Sequence, residues 1–361
     1  ETVSPHAHQA GDYRLNDPLL EPLIEIISQH GTFEWFGRMY LRQGHQVGFT
    51  AASDNHLSQP GYTAPKGGSL SQQGGLGALR ANERTRDALF DAMKDLAAYA
   101  TSGERIILDV SLNGVEMGGR APFTEERRLQ GRVVGTAPID VITVIKNDEV
   151  LWEERYLDGA NDKLPKAGKF LVTFESESEP VNRGDNPRGW RLWSGTLAVD
   201  GAAIAAARIT DYRNTNLQSV NVIDSDALAF STHTRGDTSA IELELTDIKR
   251  SSKVALTLEQ TREFGGGPPI FRQPQEIAAT TLEFELADLS EANPLEQTVD
   301  EGDYVDRVGV RRILDEGQSV VTFELDDTGA RQGDYYYVRV KQANDAYAYS
   351  SPIWVGGYPK R

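Results

Sequence analysis

The chain contains no cysteine. Disulfides, thiolate zinc sites, iron–sulfur clusters and cysteine nucleophiles are thereby excluded. The absence does not choose a compartment, because a cysteine-free chain is at home in the periplasm or the cytosol. No apolar run reaches about 18 residues, so no spanning helix is expected. Basic charge is also short: 37 Lys and Arg stand against 54 Asp and Glu, a net of −17 over 361 residues. Non-specific binding to nucleic acid or to anionic membrane needs basic patches and is not expected. The acidity favours solubility and can reflect a salty or extracellular habitat as readily as a ligand site. The sequence starts at Glu1 without a Met or a signal-peptide pattern, which reads as a processed or truncated product or as a start not visible here. No G-x-S-x-G occurs, and no Ser-His-Asp arrangement stands out.

What is present is 39% hydrophobic residues in a length sufficient for two or three domains. Residues 1–103 read as α/β. Leu23–Ile27 is a short β-branched run fit for a buried strand, Phe33–Gln43 has helical periodicity and stops before Gly44, and Val47–Ala51 is a second strand. Residues 57–79 form a long Gly, Ser, Pro and Gln segment, read as a loop with the character of a lid. Its Lys66-Gly67-Gly68…Gly74-Gly75-Leu76-Gly77 stretch lacks G-K-[ST] and is not a P-loop. Thr85–Ala100 places Leu89, Phe90, Met93, Leu96 and Ala97 at helical spacing.

From residue 104 the pattern turns to short strands separated by Gly, Asn, Asp or Pro, beginning with Arg105–Leu112 and the turn signal Asn113-Gly114. Further strands are expected at 141–145, 150–156, 170–175, 191–199, 240–245, 254–258, 281–286, 320–325 and 335–340. The region reads as one or two antiparallel β-sandwiches, divided into 104–261 and 262–361. The best internal boundaries are loops at 176–190 and 262–275.

The candidate chemistry lies where Val47–Ala51 ends. Asp54 and His56 stand two residues apart just past a strand's carboxyl end, where α/β folds gather ligands, and both can point into one pocket to hold a divalent cation. The plainer alternative is an Asp capping a strand-to-loop turn. Arg80, Arg84 and Arg86 sit near a helix start, where a substrate anion would be favoured, or are simply solvated.

Several stretches, in order, carry a resemblance: Ser4-Pro5-His6-Ala7-His8, Pro22–Glu34, Gly48–His56, Pro60-Gly61, Thr85–Phe90, Tyr99–Ile106, Leu112-Asn113-Gly114, Asp334–Val340 and Ser350–Val355. Together they resemble the C-terminal end of a polymerase-and-histidinol-phosphatase (PHP) superfamily domain, in a large bacterial branch that joins such a domain to C-terminal β domains. The resemblance implies the last third of a distorted α/β barrel, followed by β-sandwich domains. It implies two or three metal ions (Mn, Zn or Fe) at the strand ends and hydrolysis of phosphomonoesters or phosphodiesters.

Asp54 and His56 match the family's closing D-x-H. His6 matches a His that follows Pro, with His8 as a rival for that place. Glu25, His30 and Glu34 belong to the branch's pattern, although each also has a structural reading: a solvent-facing strand residue, a turn residue and a helix-start acid. The family's opening H-x-H pair has no counterpart here, so the full metal centre would need a separate N-terminal fragment. Secretion or a periplasmic location goes with the resemblance. The alternative is a non-catalytic β-sandwich binding or surface protein, taking a glycan or protein partner and carrying a barrel remnant. Tyr335–Tyr337, Trp190, Trp193 and Trp354 would be its aromatic surface, unless they are core.

Overall fold

The computed structural model describes residues 16–55, 73–159, 163–176, 191–210, 218–262, 276–300, 306–314 and 316–357. It opens with a small α/β unit. Strand β1 (Leu23–Ser28) turns through Gln29 and His30 into the short β2 (Gly31–Thr32). Helix α1 (Glu34–Arg42) then carries the chain back to β3 (Gly48–Ala51), which pairs with β1 in parallel. A parallel pair needs such a crossover, and a helix is the usual one. Ile24, Ile26 and Phe49 meet Trp35, Phe36 and Tyr40 of α1 in one buried cluster.

No barrel closes among the described residues; of the last third of an α/β barrel expected over 1–103, they show one parallel strand pair with its crossover helix. After β3 the chain leaves the parallel unit. Leu76–Leu79 (β4), inside the expected loop 57–79, is a strand, while residues 56–72 of that loop lie outside the described residues. The expected helix over Thr85–Ala100 is shorter. Helix α2 (Arg86–Lys94) starts at Thr85, whose hydroxyl accepts from the Ala88 amide, and ends before Leu96, which turns to φ 57. Ala98–Thr101 (β5) is then a buried strand paired with β4. Of the apolar helix face, Phe90 and Met93 remain exposed.

Strands β4 and β5 belong to an eight-stranded sheet, in the order Glu149–Arg155, Ile139–Lys146, Tyr335–Gln342, Tyr347–Ser350, β5, β4, with Ile353–Val355 and Arg120–Ala121 at its side. One face packs on a four-stranded sheet of Val320–Thr328, Glu126–Val134, Ile107–Leu112 and Val115–Glu116, through Leu108, Val110, Leu129, Val144 and Val338. The other face carries Tyr335, Tyr337, Tyr347, Tyr349 and Trp354, which meet α1, β1 and β3. The aromatics read as a possible glycan surface are therefore core: Trp193, Trp354, Tyr336 and Tyr337 are buried, and Trp190 lies outside the described residues.

Residues 163–313 form a separate sandwich of two five-stranded sheets. One runs Ala203–Ile209, Thr238–Thr246, Gly168–Ser176, Asp306–Ile313, Leu295–Asp300. The other runs Ser219–Val222, Ala227–Thr234, Arg191–Asp200, Lys253–Leu258, Thr280–Glu285. Phe170, Phe174, Trp193, Phe230 and Leu256 fill the space between them, with the Phe174 and Trp193 rings 5.5 Å apart. The sandwich is an insertion. It leaves the larger body after Glu149–Arg155 and returns before Val320–Thr328, and the two connections touch where the Leu314 amide donates to the Leu157 carbonyl at 2.7 Å. Sheet pairing thus groups the residues differently from the 1–103, 104–261, 262–361 division. Lys253–Leu258 and Thr280–Glu285 pair across the boundary at 262, and β5 pairs with Tyr347–Ser350.

Candidate functional site

Strands β1 and β3 run in parallel, so their carboxyl ends lie side by side. The Gln29 amide donates to the Ser53 carbonyl at 3.0 Å, and the Ala52 amide donates to the Ile27 carbonyl at 3.1 Å. These bonds hold the two strand-end loops together. His30 follows β1 by two residues and Asp54 follows β3 by three, and they meet: His30 Nε2 lies 3.2 Å from Asp54 Oδ2. Asp54 has φ 43, in the left-handed region where a non-glycine residue is uncommon and often marks a functional site.

Glu25 sits on β1 opposite Thr50 of β3. Burial around its carboxyl, reinforced by the charge of Asp54, pushes its pKa from 4.5 to about 7. As a residue Glu25 is nonetheless exposed on the strand. Imidazole and carboxylate oxygen are donors that hard and borderline divalent cations accept. Among the described residues, however, no group of three such side chains closes around one point. The described donors that meet here are two, the His30 imidazole and the Asp54 carboxylate.

The glycines near this site have a mechanical reason. Strand β4 passes so close to β1 and β3 that a Cβ on Gly75 would lie 2.6 Å from the Ile27 carbonyl oxygen, and one on Gly77 2.4 Å from Thr50 Oγ1. Only glycine admits that approach.

The other expected site residues are placed apart. His6, His8 and His56 lie outside the described residues. Glu34 turns toward the eight-stranded sheet, where it accepts from the Tyr337 hydroxyl and from Arg339 Nη1 at 2.8 Å. Arg80 is engaged by Asp109 at 3.1 Å and Glu116 at 2.6 Å. Arg84 and Arg86 are exposed at the start of α2. Two further histidines, neither of them a candidate ligand, are buried: His45, with its ring 5.4 Å from that of Tyr40, and His233, in a sandwich strand.

Beside the strand-end site lies a cleft of about 390 Å³ that the sequence reading missed. Its floor is the eight-stranded sheet, where period-2 alternation puts Tyr335, Tyr337, Arg339 and Lys341 on one face. The first two lie under the α/β unit and the last two line the cleft. Register sets Glu153, Thr143 and Arg339 in one row, and Arg155, Val141 and Lys341 in the next. Helix α1 closes one end with Glu34, Trp35 and Arg38, and the sandwich forms the roof with Thr173, Glu175, Glu296 and Arg311. Arg235 links sandwich to site, its guanidinium donating to the His30 carbonyl at 2.6 Å.

The cations of this cleft are paired. Arg339 meets Glu34 at 2.8 Å, Lys341 meets Asp345 at 3.1 Å, Arg311 meets Asp158 at 2.6 Å and also Asp140, Arg155 meets Glu153 at 3.2 Å, and Arg38 meets Asp148. Burial opposes the Lys341 charge, but Tyr347, Asp345 and Asp140 outweigh it and hold the ammonium above its usual pKa. The available signal was a charged residue at every second place in an apolar strand, Val338-Arg339-Val340-Lys341.

Residues 33–118 match the model of a protein family of unknown function, DUF3604. An uncharacterised protein of Chlamydia pneumoniae is 30% identical over 169 residues, which is 42% of this chain and 27% of that protein. An uncharacterised protein of Chlamydia muridarum is 34% identical over 141 residues, 35% of this chain and 22% of that protein. The chain therefore spans about a quarter of the length of the relatives it matches. Among solved structures, a cohesin module from a Clostridium perfringens family 33 glycoside hydrolase is 7% identical, covers 50% of this chain and 96% of that one, and has a TM-score of 0.13. A TM-score this low carries no argument about the fold. The family match runs from α1 through β3, β4, α2 and β5 to the strands Ile107–Leu112 and Val115–Glu116, and so includes Glu34 and Asp54 but not Glu25 or His30.

Proposed function

We propose that the strand-end site holds a divalent cation and that the protein hydrolyses a phosphate ester. The observation that carries this reading is the meeting of His30 and Asp54 at 3.2 Å, beyond the carboxyl ends of two parallel strands. Glu25 supports it, because a second carboxyl crowded by the Asp54 charge is what a cation would relieve. Asp54, His30 and Glu25 would hold the ion. Following the PHP resemblance, further donors from outside the described residues would complete the set. A bound divalent cation supplies a water of lowered pKa and stabilises charge on phosphoryl oxygens.

The chain's own residues do the rest. The paired loop amides fix the separation of Asp54 and His30, and Arg235 fixes the His30 backbone. β4 and the glycines before it lie against one side of the strand ends. No helix among the described residues is long and apolar enough to cross a membrane. The test is hydrolysis of p-nitrophenyl phosphate with Mn²⁺. The reading expects turnover that EDTA abolishes and that Asp54→Ala reduces at least a hundredfold. Turnover unchanged by both treatments would refute it.

A further inference from the structure

The cleft between the sandwich, α1 and the eight-stranded sheet is separate in chemistry from the strand-end site. Its volume of about 390 Å³ lies within the ~300–1,000 Å³ of small-molecule sites. It has room for roughly a dozen waters at ~30 Å³ each. Six carboxylates and five cations line it, so its formal charge is close to zero. Each of the five cations already has a carboxylate within 4.0 Å.

An anionic ligand would have to displace one of these partners, and a cationic ligand would face guanidinium groups on floor and roof. A hydroxyl both donates and accepts, so it can bond to a carboxylate and to a guanidinium without breaking their pair. A lining of alternating donors and acceptors therefore suits a ligand rich in hydroxyls. The end wall includes Trp35. Trp35 is 4% exposed, and its indole N–H has no acceptor among the described residues. The nitrogen itself is out of reach of water, so Trp35 serves the cleft as a reporter of occupancy rather than as a donor to the ligand.

We infer that this cleft binds a neutral polyhydroxylated ligand, a small saccharide. The roof comes from the inserted sandwich and the floor from the body, so the insertion builds the site and does more than decorate the surface. This inference does not depend on the cation. Binding in EDTA separates it from the proposed hydrolysis, and failure of one leaves the other standing.

The experiment uses the full chain in EDTA, titrated with neutral mono- and disaccharides and followed by calorimetry and by the indole N–H resonances. Trp35→Phe assigns the Trp35 signal. Inorganic phosphate and glucuronate are the charged controls. At least one neutral saccharide is expected to bind saturably and to shift the Trp35 indole resonance. Glu153→Ala and Glu296→Ala, both on solvent-reached parts of the lining, are expected to weaken binding at least tenfold. Arg128→Ala, on the far sheet, is expected to leave it unchanged. Circular dichroism checks that each variant folds, and the resonance shift in the wild-type chain tests the site without any of them. Absence of saccharide binding, an unmoved Trp35 resonance, unchanged affinity in both lining variants, or phosphate binding in place of saccharide would each overturn the inference.

Discussion

Glu25 shows how one strand position combines fold and charge. Its neighbours Ile24 and Ile26 face the helix, so alternation sends Glu25 to the other side of β1, toward the strand end that Asp54 closes. Crowding of the carboxyl and the Asp54 charge raise its pKa to about 7 from an ordinary 4.5. The folded chain thus holds this proton more tightly than the unfolded chain does. The sign follows: the group's contribution to stability is complete below about pH 4.5 and is lost as the pH rises through about 7. Carboxyl-carbon NMR is expected to find Glu25 titrating near 7, and to find its midpoint lowered in Asp54→Asn, where the neighbouring charge is gone. An unshifted midpoint in that variant would contradict the coupling. The pair that meets at 3.2 Å, His30 and Asp54, was only half legible in sequence. D-x-H draws attention to Asp54 by its place after a strand. Nothing local says that a turn residue 24 positions earlier faces it; parallel pairing of β1 with β3 does that.

At the scale of elements, alternation and turn residues were readable where a strand has one wet face. Arg191–Asp200, Thr238–Thr246 and Lys253–Leu258 alternate and were expected within a residue or two. Asn113 and Gly114 take φ 50 and 80, as a tight hairpin turn requires. Glu126–Val134 is hidden because Arg127 and Gly131 take two of its inward positions and break the apolar alternation, and Ala203–Ile209 because alanine has no strand preference. The helix over 85–100 was read too long because Leu96 and Ala97 continue its apolar spacing, whereas Leu96 adopts φ 57 and starts the turn into β5. The glycine run reads as a loop in sequence, and its last part is a strand that needs glycine for close approach. Gly77→Val places side-chain atoms against Thr50 Oγ1 and the Ala51 carbonyl, which lie 2.4 and 2.9 Å from the Cβ position. Its expected cost is about 1–3 kcal/mol, typical of overpacking, read as a lowered urea midpoint. An unchanged midpoint would contradict the packing of β4 on β3.

The molecule as a whole is a β body with an α/β unit on one face and a sandwich inserted in its chain. The insertion could not be read from sequence, because both modules are written in the same strand-and-turn pattern and no composition shift marks where one resumes. Long-range ion pairs tie the two together. Arg311 of the sandwich reaches Asp140 of the body and Asp158 at the connection, and both Arg311 and Asp140 are almost wholly buried. Removing one member leaves a buried charge without its main partner. Arg311→Met is therefore expected to destabilise the chain by about 3–5 kcal/mol, and Arg311→Met with Asp140→Asn by less. Denaturant unfolding of the three chains measures this, and equal losses in the single and double variants would contradict a direct pairing. The same ion pairs hold roof and floor of the cleft in register, so the integrity of the body–sandwich contact and the shape of that cleft belong together.

The measurement that bears most directly on the strand-end site is calorimetric titration of the chain with Mn²⁺ and with Zn²⁺, alongside Asp54→Ala and His30→Ala. The account expects saturable binding of at least one of these ions by the wild-type chain, weakened at least tenfold in each variant. Equal affinity in the wild-type chain and both variants, or no binding of either ion by the wild-type chain, would contradict it.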